Sequence, residues 1–221
     1  AQAEAMGLDI ITSCATTAAT LHEDLTALRN DSKLMAKTND ILQRNCGLTL
    51  TGEVNVHHLL HVIVDELGID KVEDAVKNTL EFSIAGYYGP NMQQDGACGN
   101  DDVFDPDYLE QVITAVGGKP IEWSSRTQSV GVPGIFSEEK TVMKQTAAVL
   151  ADAKSEGAQL VVSACNLSHM LLDVYQGKAG KTTGQATKVP TIHLTELLAF
   201  AFGHHIDRMA QLRTRVLVIG D

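Results

Sequence analysis

The sequence is short of positive charge and has no long apolar run. Lysine and arginine total 17 against 28 aspartate and glutamate, a formal net charge of −11. A surface that acidic repels phosphate backbones and anionic lipid, which argues against nucleic acid as a partner. The longest apolar stretch, Leu197-Leu198-Ala199-Phe200-Ala201-Phe202, falls far short of the roughly 18 residues a membrane span requires. The first six residues carry neither a basic region nor an apolar core, so no targeting peptide is expected. The four cysteines, Cys14, Cys46, Cys98 and Cys165, form no CxxC, zinc-ribbon or ferredoxin-like run. With no tight pair and no secretory signal, they read as free thiols in a reducing, cytoplasmic setting. What is present is an ordinary globular composition: 221 residues, 44% hydrophobic and 20% charged, enough for one large domain or two small ones.

The most informative feature is an internal repeat. Ala-rich segments end at Gly7 and at Gly157, where glycine accepts the left-handed helix stop. Each is followed by a β-branched run, Ile10-Ile11-Thr12 or Leu160-Val161-Val162-Ser163, which reads as a buried strand leading to Cys14 or Cys165 and a new helix. Farther on, His58 and His193 each open a helical pattern that stops at a glycine, Gly68 and Gly203. The first copy has 44 positions from cysteine to histidine against 28 in the second, and residues 30–48 account for the extra helical length. Two matching segments in one order indicate duplication. The helix before Gly157 starts near Ser137, a capping serine ahead of Glu138 and Glu139, whereas its counterpart before Gly7 is a stub too short to nucleate. The first repeat is therefore expected to lack its upstream half, whether removed or supplied by another chain. The implied division is a partial first repeat with a helical insertion at 1–80 and a complete second repeat at 81–221.

In the second repeat, residues 81–88 read as a strand, 89–105 as a polar loop, 105–117 as a helix and 120–123 as a short strand. Strands alternating with helices predict an α/β fold with short parallel sheets and flanking helices. Ligand crevices in such sheets lie at the carboxyl ends of strands, so the loops after Tyr88, Trp123 and Ser163 are expected to converge.

At those strand ends stand Tyr88-Gly89-Pro90, Ser129-Val130-Gly131 and Cys165-Asn166-Leu167-Ser168. Between Pro90 and Ser129 lie 38 residues, and between Val130 and Cys165 lie 34. With Cys14-Ala15-Thr16-Thr17 as the end of a first motif, the pattern resembles the cysteine-rich CCG domain family, that of the heterodisulfide reductase B subunits. That family includes the succinate dehydrogenase E-type subunits and the glycolate oxidase and lactate utilisation iron–sulfur subunits. The resemblance implies tandem CCG-type repeats and a redox or electron-transfer component partnered by iron–sulfur or flavin subunits, membrane-associated at most through those partners. In the family, cysteines at these turns ligate four-iron clusters or serve thiol chemistry, because soft sulfur holds iron and only a thiolate exchanges with a disulfide.

Here the positions matching family ligands hold Thr17, Pro90, Ser129, Val130 and Ser168, and only Cys14 and Cys165 remain. No cofactor is expected in this chain, and an iron–sulfur cluster would need Cys14 or Cys165 to be completed by other ligands. The implied role is a cluster-poor scaffold or docking subunit. The alternatives are an active component handling thiol/disulfide or quinone reduction, or a small-molecule enzyme using Cys14 or Cys165 as nucleophile. Both cysteines precede a helix, whose dipole should lower a thiol pKa, although a small residue also simply packs well there.

The remaining motifs have plainer readings. His57, His58 and His61 on one helix would allow two imidazoles on a face, but no third ligand is evident and no metal site is expected. His204-His205 reads as a solvated pair at a helix end. Gly177 to Gly184 superficially matches a phosphate loop but follows a helix, and is expected to be a surface connector. Residues 95–107 read as a solvated acidic loop, Cys46 as a buried or capping residue, and Cys98 as a remote substitute ligand.

Overall fold

The computed structural model describes residues 1–94 and 99–204, and its β-branched runs pair as parallel strands throughout. β1 (Ile10–Thr12) pairs with β2 (Val56–His58). β3 (Ser83–Tyr87), β4 (Lys119–Pro120), β5 (Leu160–Ser163) and β6 (Thr191–His193) form a second sheet in the order β4-β3-β5-β6. Parallel neighbours cannot be joined by a tight hairpin, so helices fill the crossovers. α1 (Gln2–Ala5) precedes β1, and α2 (Ala15–Asn30) and α3 (Ser32–Cys46) connect β1 to β2. α4 (Leu59–His61), a π-helical stretch Val62–Leu67 and α5 (Ile69–Ala75) lead to β3. α6 (Tyr108–Ala115), α7 (Glu139–Ser155), α8 (Asn166–Asp173) and α9 (Gln176–Thr183) follow the order of the chain, and α10 (Leu194–Ala201) follows β6.

The two sheets share a local pattern. α1 closes at Gly7, φ 66°, with the Leu8 amide donating back to Ala3 O at 3.0 Å. α7 closes at Gly157, φ 86°, with the Ala158 amide donating to Ala153 O at 3.0 Å. Glycine takes this left-handed conformation without a Cβ clash and satisfies the last helical carbonyls. Register then repeats: Thr12 sits opposite His58, and Ser163 opposite His193.

β5 lies between two apolar clusters. Leu160 and Val162 face Leu60, Ile84, Leu109 and Leu194, while Val161 faces Met143, Leu150 and Leu171. Successive strand side chains point to opposite faces, so burial on both gives an unbroken apolar run. β1 has a smaller neighbourhood, a cluster of Leu25, Leu50 and Val54 with Ile10 packed against it, and leaves Ile11 57% exposed.

Several local expectations are corrected. Ser137 does not cap α7: its hydroxyl turns to Gly134 O at 3.5 Å, and the N-cap residue is Glu138, without a side-chain cap bond. Residues 176–183 are helical rather than a connector. Gly180 is the local reason, because a Cβ there would meet Thr187 Oγ1 at 2.5 Å, and its absence lets the 185–187 segment lie against the helix. Cys46 is exposed, its Sγ donating to Leu42 O at 3.1 Å, and Gly47 provides the left-handed cap. The expected 120–123 strand pairs only over Lys119–Pro120, after which the Trp123 indole donates to Gly86 O at 3.1 Å. Asp101 in the acidic loop is buried, and its carboxylate accepts from the Asp107 amide at 2.9 Å and the Tyr108 amide at 3.4 Å, satisfying the start of α6. Burial pushes its pKa up to about 6. Cys98, His205 and the terminal residues 213–221 lie outside the described residues.

Candidate functional site

β1 and β5 each run into a cysteine at the N-cap of the next helix, Cys14 before α2 and Cys165 before α8. These two turns face each other. The Ala15 amide donates to Ala164 O at 3.3 Å, joining the main chain beside one cysteine to the main chain beside the other. Both thiols are free and buried, 7% exposed for Cys14 and 1% for Cys165. The two thiols interact electrostatically. Thr16 Oγ1, which accepts from Asn91 Nδ2 at 2.7 Å, lies 3.3 Å from Cys165 Sγ.

Their surroundings make the two sulfurs unequal. The Cys165 thiol, against the opposing pull of burial and with help from the Thr17 amide and hydroxyl and the Asn166 amide, holds Cys14 well below the ordinary thiol value. Cys165 moves the other way, pushed up by the neighbouring Cys14 and by burial. The expectation that a helix N-terminus lowers both thiols does not hold for Cys165, where the neighbouring Cys14 and burial outweigh the local donors.

Histidine completes the arrangement. His58 Nδ1 accepts from the Leu60 amide at 3.1 Å, capping α4 and leaving Nε2–H to donate to Ala164 O at 2.9 Å. Burial holds its pKa down to about 4. At the matching place, His193 Nδ1 accepts from the Thr195 amide at 3.3 Å, and the Glu196 carboxylate accepts from the His193 amide at 2.8 Å, a full capping box.

The three strand-end loops meet beside this pair. The amides of Tyr88 and Gly89 donate to Arg126 O at 2.9 and 3.1 Å, and Tyr87 OH donates to Gln128 O at 2.7 Å. The Ala164 amide approaches Tyr87 O at 3.4 Å. Tyr88 OH donates to Glu110 and accepts from the Leu109 amide at 2.8 Å, which anchors the turn from inside. Pro90 opens a 3-10 turn, Pro90–Gln93, and is exposed. Ser129 is exposed and its Oγ accepts from the Gly131 amide at 3.0 Å, whereas Val130 is 1% exposed within the apolar cluster of Trp123 and Met143. Ser168 is buried, and Thr17, in the first turn of α2, is exposed.

These residues do not fit a four-iron cluster. Such a cluster takes about four thiolates, and the turns offer two sulfurs, the hydroxyls of Thr17, Ser129 and Ser168, and the donor-free side chains of Pro90 and Val130. Among the described residues no group of three His, Cys, Asp or Glu is placed to hold a metal ion.

The helical His57-His58-His61 arrangement is also corrected. His57 and His58 belong to β2 and point to opposite faces, and only His61 lies on the helix. His61 lines a separate cleft of about 480 Å³ with His22, Arg29, His57, Asp65 and Glu66. It is 5% exposed, its Nε2 has no hydrogen-bond partner among the described residues, and burial lowers its pKa to about 4.

Sequence reasoning singles out both cysteines but misses their contact. One signal points to it: they occupy the same place in the two copies of the repeat.

No family model matches the chain. It is 24% identical over 209 residues to the B subunit of the ferredoxin/F(420)H(2)-dependent CoB-CoM heterodisulfide reductase of Methanosarcina acetivorans, covering 93% of this chain and 69% of that protein. It is 27% identical to the 8-methylmenaquinol:fumarate reductase membrane anchor subunit of Wolinella succinogenes, covering 92% and 70%. A protein of Archaeoglobus profundus, named as similar to the heterodisulfide reductase B subunit, is 23% identical, covering 94% and 71%. Among solved structures, a hypothetical protein from Helicobacter pylori has the same fold, with a TM-score of 0.73 at 15% identity over 96% of this chain and 39% of its own length. Over most of its length, the chain is thus similar in sequence to the B subunits of heterodisulfide reductases, on an α/β fold already seen in a crystal structure.

Proposed function

We propose that this chain is a component of a multi-subunit redox complex, similar to the heterodisulfide reductase B subunit and built on duplicated CCG-type units at 1–80 and 81–221, that holds no iron and docks iron–sulfur or flavin subunits. The observation that carries this reading is the fate of the turns. Relatives whose names place them in redox complexes match the chain nearly end to end, yet Val130 is packed as core and Pro90 starts an exposed turn where the family pattern has sulfur. Side chains suited to a docking face are present as well. Met6, Leu8 and Ile11 are 64%, 54% and 57% exposed, and Phe104 and Phe136 stand 93% and 99% exposed. Large apolar groups left in water mark surfaces that a partner covers. No helix among the described residues is long and apolar enough to cross a membrane.

Iron and acid-labile sulfide analysis of the isolated chain tests the reading. It requires iron far below stoichiometric, whereas about four irons per chain would overturn it. Partners that co-purify, identified by mass, should include an iron–sulfur or flavin subunit.

A further inference from the structure

We propose that Cys14 and Cys165 form a two-electron redox couple, closing into an intrachain disulfide when the pair is oxidised by a peroxide. The inference goes beyond docking, since it assigns a chemistry to the two sulfurs that remain. Three features of the geometry carry it. The main chain beside Cys14 is bonded to the main chain beside Cys165 through Ala15 N and Ala164 O, which fixes the two backbones at one hydrogen bond's separation. Each cysteine caps a helix at the end of a strand, so neither backbone must move far for the sulfurs to bond. Thr16, two residues past Cys14, places its Oγ1 3.3 Å from Cys165 Sγ, which brings the start of one cysteine's helix against the other's sulfur. His58 reinforces the contact from below by donating to the same Ala164 carbonyl.

The chemistry balances without iron. The Cys14 thiolate attacks the O–O bond of the peroxide and takes one oxygen as sulfenic acid, and hydroxide leaves. The Cys165 sulfur then attacks the Cys14 sulfur, its proton and the departing hydroxyl forming water, and the S–S bond closes. Two electrons pass from sulfur to the peroxide oxygens. A dithiol reductant reverses the result by ordinary exchange. The exposed Cys46 has no thiol neighbour among the described residues, so it gives no intrachain link of this kind.

The test uses the whole reduced chain, treated with one equivalent of hydrogen peroxide, quenched, denatured and titrated for thiols. Of the four cysteines two should disappear together, with one disulfide-linked peptide joining Cys14 and Cys165 and full recovery after dithiothreitol. In C165S the same treatment should leave a Cys14 sulfenic acid that a dimedone-type reagent traps, while the wild type shows none. Thiols lost singly, a link to Cys46 or Cys98 instead, or a stable sulfenic acid at Cys14 in the wild type would overturn the couple. The wild-type count needs no variant to fold. Iron measured on the same sample separates the two readings: iron-free protein that makes no Cys14–Cys165 link refutes the couple alone, and iron bound at either cysteine refutes both.

Discussion

The unit around β1 and the unit around β5 are built to one pattern and buried to different depths. Each has a glycine-stopped helix, a strand, a cysteine N-cap, and a second strand whose histidine caps the next helix. β5 has β3 and β6 on its two edges and apolar clusters on both faces, while β1 pairs with β2 alone. The equivalent central positions, Ile11 and Val162, are 57% and 0% exposed. Local pattern is therefore set by the residues themselves, and stability by what packs on them. The two units also differ at one capping position: Glu196 completes the capping box behind His193, and His61 stands at the same place behind His58.

The largest test of that difference is one truncation made twice. Val162→Ala removes methyl groups from a fully buried face and should cost about 2–4 kcal/mol in urea unfolding, whereas Ile11→Ala should stay within about 0.5 kcal/mol. Equal costs would mean that β1 is as deeply packed as β5.

A second test uses acid. His61 has a folded pKa of about 4 against an ordinary 6.5, so it is neutral in the fold while the unfolded chain takes up a proton first. Its contribution is complete above pH 6.5 and is lost as pH falls toward 4, to the extent of about 3 kcal/mol. NMR titration should find the His58 and His61 rings neutral down to about pH 4. An imidazole titrating near 6.5 at either position would defeat the prediction.

The smallest effect is His58→Ala, which removes the α4 cap and the bond to Ala164 O, for about 1–2 kcal/mol. Amide exchange should rise in β2 and α4 and stay unchanged in β6. Loss of protection spread evenly over both units would show that they open as one.

Much of the fold is legible in the sequence because its cues are local. Gly7 and Gly157 end helices by backbone conformation alone, and Leu160 to Ser163 is a strand because an apolar β-branched run needs cover on both faces. The helix α9 escapes such a reading because Gly177 and Gly180 look like a loop, and only the Thr187 segment lying against Gly180 explains why small residues belong there. His57 fits a helix as well as a strand, since two histidines and a leucine pair suit either period, and pairing with Ile11 decides for a strand. At the site, the replaced ligand positions can be read off the chain, but not that Val130 is core or that Ser168 is buried.

By itself the sequence determined a parallel α/β chain with matched strand–cysteine–helix turns, since caps, stops and strand runs act over a few residues. Only the tertiary structure decided that the Cys14 turn meets the Cys165 turn, through Ala15 N and Ala164 O, and that one thiol is lowered and the other raised. The reason is distance along the chain: two sulfurs so far apart in sequence come to influence each other only after both turns have packed, and which way each moves depends on the burial and amide donors that packing supplies.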